Sequence, residues 1–481
     1  MQSANPRRWS ALAVIALAQF IVIMDTSIIG VALPEIQTDL GFSPDDLSWV
    51  FNAYVIAFGG LLLLGGRLSD LLGAKRIFAA GWAILAVGSL TAGLAESTTV
   101  EIVSRAIQGA GAALIAPSAL TLLMMLFGNN PKELTKAFAI YGAAAPAGGT
   151  AGVFLGGVIT EWISWPWVFY VNIPIALVVL ALIPSLMPSV EARPGSIDIT
   201  GALTATAGLA LTVFGIVRAP EEGWGSSATL LAIGGGLALL AAFVAIQQGR
   251  RDPLMRLSIF RTPNLAAANV AQLLLGAAWI PMWFFLNLYL QQVLGYGAFE
   301  GGAALLPMTL AIMVLMVVVA PKVISRVGFK TPIVAGMLLL AAGMLLMSLV
   351  RADGNFAVDV LPASLIAATG MALAFIPSLG TAIQSAKPEE GGLASGIVNT
   401  SYQVGSALGL AVMTAVATSQ GADKLGDVAA LTDGYSAAFL GAAGIAVIGA
   451  LLAAALLRVP KGVAAVAEAD VSDDSREPIA A

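Results

Sequence analysis

Apolar runs, each about 20 residues long, dominate this chain and leave little sequence for anything else. They fall at 10–33, 48–65, 76–94, 99–127, 136–159, 167–187, 197–217, 228–248, 265–290, 300–320, 331–350, 359–381, 392–418 and 434–457. A helix of that length crosses a bilayer and satisfies its own backbone groups, which hydrocarbon cannot do. Composition agrees: 58% of residues are hydrophobic and 11% charged, against roughly 25% charged in soluble domains. A water-soluble fold must keep an outer surface and could not hide so much apolar area. The expectation is an all-α polytopic membrane protein with fourteen spans and no sizeable soluble domain. Arg7 and Arg8 precede an apolar run that passes Met24 and Asp25 and ends at Leu33. It is too long for a cleaved leader and reads as the first span.

Basic residues fix the expected orientation. With the N-terminus placed in the cytoplasm, every Lys and Arg falls in cytoplasmic segments except Arg105, Arg218, Arg351 and Lys424. Positive charge stays inside, and a miscounted helix would invert the pattern downstream. Both termini are therefore expected in the cytoplasm, and Trp9, Trp49, Trp162, Trp165, Trp167 and Trp224 fall near span ends, as interfacial tryptophans do.

A short repeat divides the chain. The hairpin Gly66-Arg-Leu-Ser-Asp-Leu-Leu-Gly-Ala-Lys-Arg after the second span aligns with Pro321-Lys-Val-Ile-Ser-Arg-Val-Gly-Phe-Lys-Thr after the tenth. Gly73 then meets Gly328, Lys75 meets Lys330, and Gly81 meets Gly336. The expected plan is a cytoplasmic N-terminus (1–9), a six-helix bundle (10–187), a two-helix insert with its linkers (188–264), a second six-helix bundle (265–457) and a disordered cytoplasmic tail (458–481). Parallel repeats of this kind place a central site between two halves of a secondary transporter.

Ionisable side chains inside a bilayer are costly and usually functional. Asp25 lies about 12 Å from the outer end of its span and Arg105 about 9 Å from the outer end of the fourth, at 1.5 Å per helical residue. The two can therefore pair. Such a pair is either a structural clamp or a proton site: burial disfavours the carboxylate and a neighbouring guanidinium favours it, so separating them loads or releases a proton. In the ninth span Trp279, Trp283, Asn287 and Gln291 share one face and can either line a substrate cavity or pack helices. Asp198 reads as a helix cap.

The chain has no Cys and no His, which removes thiolate chemistry and the commonest metal ligand and catalytic base. No Walker A, G-x-S-x-G or H-E-x-x-H pattern is present. No enzyme, metal, cofactor or nucleic-acid partner is expected.

Several segments carry a family resemblance. Asp25-Thr-Ser-Ile-Ile-Gly-Val-Ala-Leu-Pro is similar to a first-helix motif D-x-T-V-V-N-V-A-L-P, and Gly66 to Arg76 to a loop motif G-x-L-a-D-r-x-G-r-k. Arg105-Ala-Ile-Gln-Gly-Ala-Gly-Ala-Ala resembles R-x-x-Q-G-x-G-A-A, and Gly152-Val-Phe-Leu-Gly-Gly resembles the antiporter motif G-P-x-x-G-G. On these the chain resembles the major facilitator superfamily, and within it the fourteen-span drug:proton antiporters. The resemblance implies the major-facilitator fold of two six-helix bundles, here with two inserted central helices. It implies Asp25 as the proton-coupling acid assisted by Arg105, and a cytoplasmic gate at Gly66, Asp70, Gly73, Lys75 and Arg76. It also implies a kinked export helix set by Gly152, Gly156 and Gly157. Departures are Gly30 in place of Asn, Leu71 and Ala74 in place of basic residues, and Val153 in place of Pro.

The expected function is proton-driven export of small lipophilic or monocationic compounds by a monomer in the bacterial inner membrane, with no cofactor. Dedicated export of an endogenous metabolite or lipid is the alternative, and an uncoupled facilitator or membrane sensor is the alternative of another class. With Asp25 read as the one buried core acid, neutral or monocationic substrates are expected over dications.

Overall fold

The computed structural model describes residues 7–128, 130–188, 198–250, 253–255, 257–385 and 391–458. The expected tail after Arg458 and the linker at 189–197 lie outside the described residues. Among the described residues there is no strand, and fourteen helices are long and apolar enough to cross a membrane. In chain order they are α1 (Arg8–Leu40), α2 (Asp46–Leu72), α3 (Ala74–Gly93), α4 (Thr98–Phe127) and α5 (Pro131–Trp162). Then follow α6 (Trp167–Leu186), α7 (Ile199–Pro220), α8 (Ser227–Gly249), α9 (Asn264–Val293) and α10 (Ala298–Val327). The last four are α11 (Lys330–Met347), α12 (Phe356–Ser385), α13 (Ala394–Ala422) and α14 (Val428–Leu456).

Several helices outrun the apolar runs that announce them. The first run breaks off before Pro34, yet α1 continues through that proline to Leu40 and stops only at Gly41, where φ is 69° and the amide bonds back to Gln37. Proline removes one backbone hydrogen bond, and in a packed membrane helix its neighbours compensate.

Packing follows the repeat. α1 lies on α5, α3 on both α4 and α6, and α2 on α4. The second half matches: α9 lies on α13, α11 on α12 and α14, and α10 on α12. The halves meet along two equivalent seams, α5 with α10 and α2 with α13. The aligned glycines behave alike. Gly73 and Gly328 both take positive φ, 92° and 73°, at the sharp turns of their hairpins, a conformation that costs glycine no steric penalty. Gly81 lies against the Gly111 carbonyl and Gly336 against the Gly370 carbonyl.

The inserted pair breaks this symmetry. α7 packs on α2 and α13 and so covers one seam, while α8 packs chiefly on α7. Their ends are tied by Asp198, which accepts from the Gly201 amide at 2.8 Å and from Gln247 Nε2 at 2.6 Å. It also pairs with half-exposed Arg250 at 3.1 Å. Replacing Asp198 with alanine should cost about 1–2 kcal/mol through the lost cap alone. Thermal unfolding of the purified variant checks this; an unchanged Tm refutes it.

With an even number of spans the two termini share one face, here the terminal face. Contacts there agree: Arg8 pairs with Glu133 at the start of α5, and Asn264 bonds the backbone of Arg458. Across the opposite face the halves are bridged. Gln291 donates to the Val31 carbonyl at 3.0 Å, Gln292 donates to Gln37 at 2.8 Å, and Trp162 stacks on Phe299 at 5.1 Å.

Candidate functional site

The site grows from a packing problem in the first bundle. Asp25 on α1 is completely buried, as is Arg105 on α4. An isolated charge there is prohibitively expensive, so each must be paired. Arg105 Nη1 donates to Asp25 Oδ2 at 2.7 Å, and Arg105 Nε donates to the Val50 carbonyl at 3.0 Å. Asp25 Oδ1 accepts from Gln108 Nε2 at 3.1 Å and from Asn172 Nδ2 at 2.8 Å. Ser89 Oγ accepts from both amides. The guanidinium lies over the Tyr54 ring, 4.6 Å from its centroid, and near Phe169 at 5.7 Å, where the aromatic faces favour a cation.

Backbone proximity makes this possible. A side chain at Gly109 would meet the Tyr54 carbonyl at 2.3 Å, and one at Gly88 would meet the Gln108 amide at 2.7 Å. Gly109 of α4 and Gly88 of α3 thus let α2 and α3 approach α4 closely enough for Val50 and Ser89 to reach the charged network. Side chains of α4 and α6 converge on one carboxylate of α1, with α2 and α3 holding the groups that reach it. Three side-chain donors, from Arg105, Gln108 and Asn172, are aimed at it.

Two features escaped the sequence reading. Asn172 and Ser89 join the network from α6 and α3, and nothing local marks either as a partner of Asp25. The expectation of a single buried core acid is corrected: Glu101 on α4 is also completely buried. Its position four residues before Arg105 puts it on the same helix face, and that spacing was the signal available.

The ninth-span stripe lies between the bundles. Trp279, Trp283 and Asn287 are buried and Gln291 half-buried. Trp283 fills the space over Gly30, where a side-chain carbon would sit 2.0 Å from the indole, and meets Phe51 edge-on at 5.9 Å. In this conformation the stripe packs against α1 and α2. Gly30 is therefore the partner of Trp283, and the polar groups around Asp25 come instead from Gln108 and Asn172. Replacing Gly30 with Asn should disrupt the contact, costing about 1–3 kcal/mol as overpacking does. Adding Trp283→Ala should restore most of the Tm; no rescue in the double variant refutes the pairing.

The glycines of α5 present two surfaces. Gly152 and Gly156 lie against the Met24 and Ile28 carbonyls of α1, whereas Gly157 lies against Ala298 of α10. α5 is one helix through Val153, with Pro146 inside it. In the hairpin after α2, Lys75 donates to the Pro184 carbonyl at 2.9 Å, while Asp70 and Arg76 are exposed. Gly66 sits beside Pro117 and Gly73 forms the turn. Among the described residues no ion pair joins Asp70, Lys75 or Arg76 to another side chain.

Twelve apolar helices in two equivalent halves, two more inserted beside a seam between them, and a buried ion pair inside one half define a multi-pass membrane transporter and not an enzyme. A family model described as Major Facilitator Superfamily matches residues 15–410, and the chain belongs to that family. It is 40% identical over 462 residues to the cephamycin export protein of Amycolatopsis lactamdurans, covering 94% of each chain. It is 36% identical to the puromycin resistance protein of Streptomyces alboniger, covering 95% of this chain and 92% of that one. Among solved structures, a peptide transporter in complex with sulfate superposes with a TM-score of 0.69, at 14% identity and 95% coverage of both chains; at that identity the likeness is one of fold.

Proposed function

We propose that the protein exports small amphipathic organic compounds in exchange for protons, working as a monomer with both termini in the cytoplasm of a bacterial inner membrane. The observation that carries this reading is the buried Asp25 carboxylate held by Arg105 Nη1 at 2.7 Å. α1 links proton and cargo: it bears Asp25 in the bundle interior and Gly30 against Trp283 at the interface of the halves. Protonation of Asp25 weakens its hold on α4 and α6, α1 shifts, and the contact with α9 changes. That proton arrives from the opposite face while it is open, the shift closes that face into the bridge made by Gln291 and Gln292, and the proton leaves on the terminal side. Cargo bound to the ionised form then reopens the opposite face, while Asp70, Lys75 and Arg76 latch the terminal one. Gly152, Gly156 and Gly157 let α5 slide between α1 and α10. Trp279, Trp283, Asn287 and Gln291 meet the cargo once the halves part.

The similarity to an antibiotic exporter and an antibiotic resistance protein supports antibiotic-like cargo. The 40% identity to a protein named for one compound favours a second reading, dedicated export of a single natural product. The test uses purified protein in vesicles with a trapped pH dye. Adding ethidium or puromycin should move protons opposite to the compound. Movement of compound without protons makes the chain a facilitator and refutes exchange. Counter-movement with a single natural product but neither probe selects the dedicated exporter.

A further inference from the structure

Glu101 is completely buried, and neither of its carboxylate oxygens has a hydrogen-bond partner. Four residues on, Arg105 uses Nε and Nη1 but leaves Nη2 without an acceptor. The two groups share one face of α4, separated by roughly 6 Å along the axis. The charges that act on Glu101 are Arg105 from its own helix and Asp25 from α1. Around that pair α2 contributes Tyr54, α3 Ser89, and the α6 segment Phe169 and Asn172. A buried acid with no partner and a buried cation with a spare donor, one turn apart, are complementary halves of an ion pair that this conformation does not form.

We propose that Glu101 is a second proton-carrying site and the alternate counter-ion of Arg105. With Arg105 on Asp25, Glu101 holds a proton. When Asp25 takes up a proton, the guanidinium turns to Glu101, whose O–H bond breaks. One O–H bond forms on Asp25, one breaks on Glu101, and the proton passes through solvent admitted as the bundles move. Each state contains one carboxylate, one carboxylic acid and one guanidinium, so the buried cluster stays neutral throughout. Without Glu101, protonating Asp25 would strand a buried cation, which proteins avoid. Glu101 lies nearer the opposite face, so it is the first of the two to meet protons from that side. Glu101 thus deepens the proton-exchange reading above and rests on it.

Infrared spectroscopy of the full-length protein in phosphatidylethanolamine–phosphatidylglycerol vesicles tests this at neutral pH. Wild type should show the carbonyl absorption of a protonated, solvent-shielded carboxylic acid, and Glu101→Gln should lose it. Asp25→Asn should lose it too, because Arg105 then ionises Glu101. Asp25→Ser serves that arm if the asparagine variant does not accumulate. Retention of the band in Glu101→Gln, or in the Asp25 variant, overturns the proposal. If the band behaves as expected while wild type carries no protons against ethidium, the counter-ion exchange stands and proton-coupled export falls.

Discussion

Asp25→Asn should abolish proton movement in the vesicle assay and leave at most passive leakage of the dye. All three side chains aimed at Asp25 are donors: Arg105, Gln108 and Asn172. An asparagine offers one acceptor oxygen and one donating amide. Turned one way, its amide faces the guanidinium; turned the other, it faces Gln108 and Asn172. Either way a buried donor loses one of its two acceptors. Breaking a buried pair by removing one partner costs about 3–5 kcal/mol when nothing replaces it. The loss should be smaller here if Glu101 takes over the guanidinium. The measurement is paired: proton flux and Tm on the same preparation. A folded variant without flux supports proton exchange through Asp25. A folded variant with undiminished flux makes Asp25 a structural clamp.

Gly405→Ala should be the most damaging single methyl group in the second bundle. A side-chain carbon at Gly405 of α13 would sit 1.8 Å from the Leu273 carbonyl of α9. That obstacle is backbone, not a rotatable side-chain end, so the helices must separate. Gly409 and Gly276 in the same interface face Ala277 and Tyr402 backbone at 2.2 and 2.3 Å, so a separation at one point is felt at all three. Overpacking of this kind costs about 1–3 kcal/mol, occasionally more. Gly444 of α14 has nothing within 4 Å of the added carbon, and alanine there should be neutral or stabilise by up to about 1 kcal/mol through helix propensity. A Tm of Gly405→Ala equal to that of Gly444→Ala would show that α9 and α13 are not held at backbone contact.

The contrast between these two glycines separates what the chain spells out from what the fold decides. The length and apolar character of the runs determined by themselves that fourteen helices would form, because in hydrocarbon a backbone has no other way to satisfy its hydrogen bonds. The aligned hairpins determined the twofold plan, since Gly73 and Gly328 mark the same positive-φ turn. The depths of Asp25 and Arg105 allowed a pair, because helical rise converts residue number into depth. Partners on other helices were beyond this arithmetic. Asn172 reaches Asp25 across 147 positions of sequence, and Trp283 meets Gly30 from the other half of the molecule. The cover that α7 lays over the α2–α13 seam was equally invisible. A local pattern gives each residue its depth and its face, but which faces meet is settled by how closely the helix backbones can approach. Only the packed structure shows that Arg105 pairs with one buried acid while a second, Glu101, lies buried and unpartnered one turn away on its own helix.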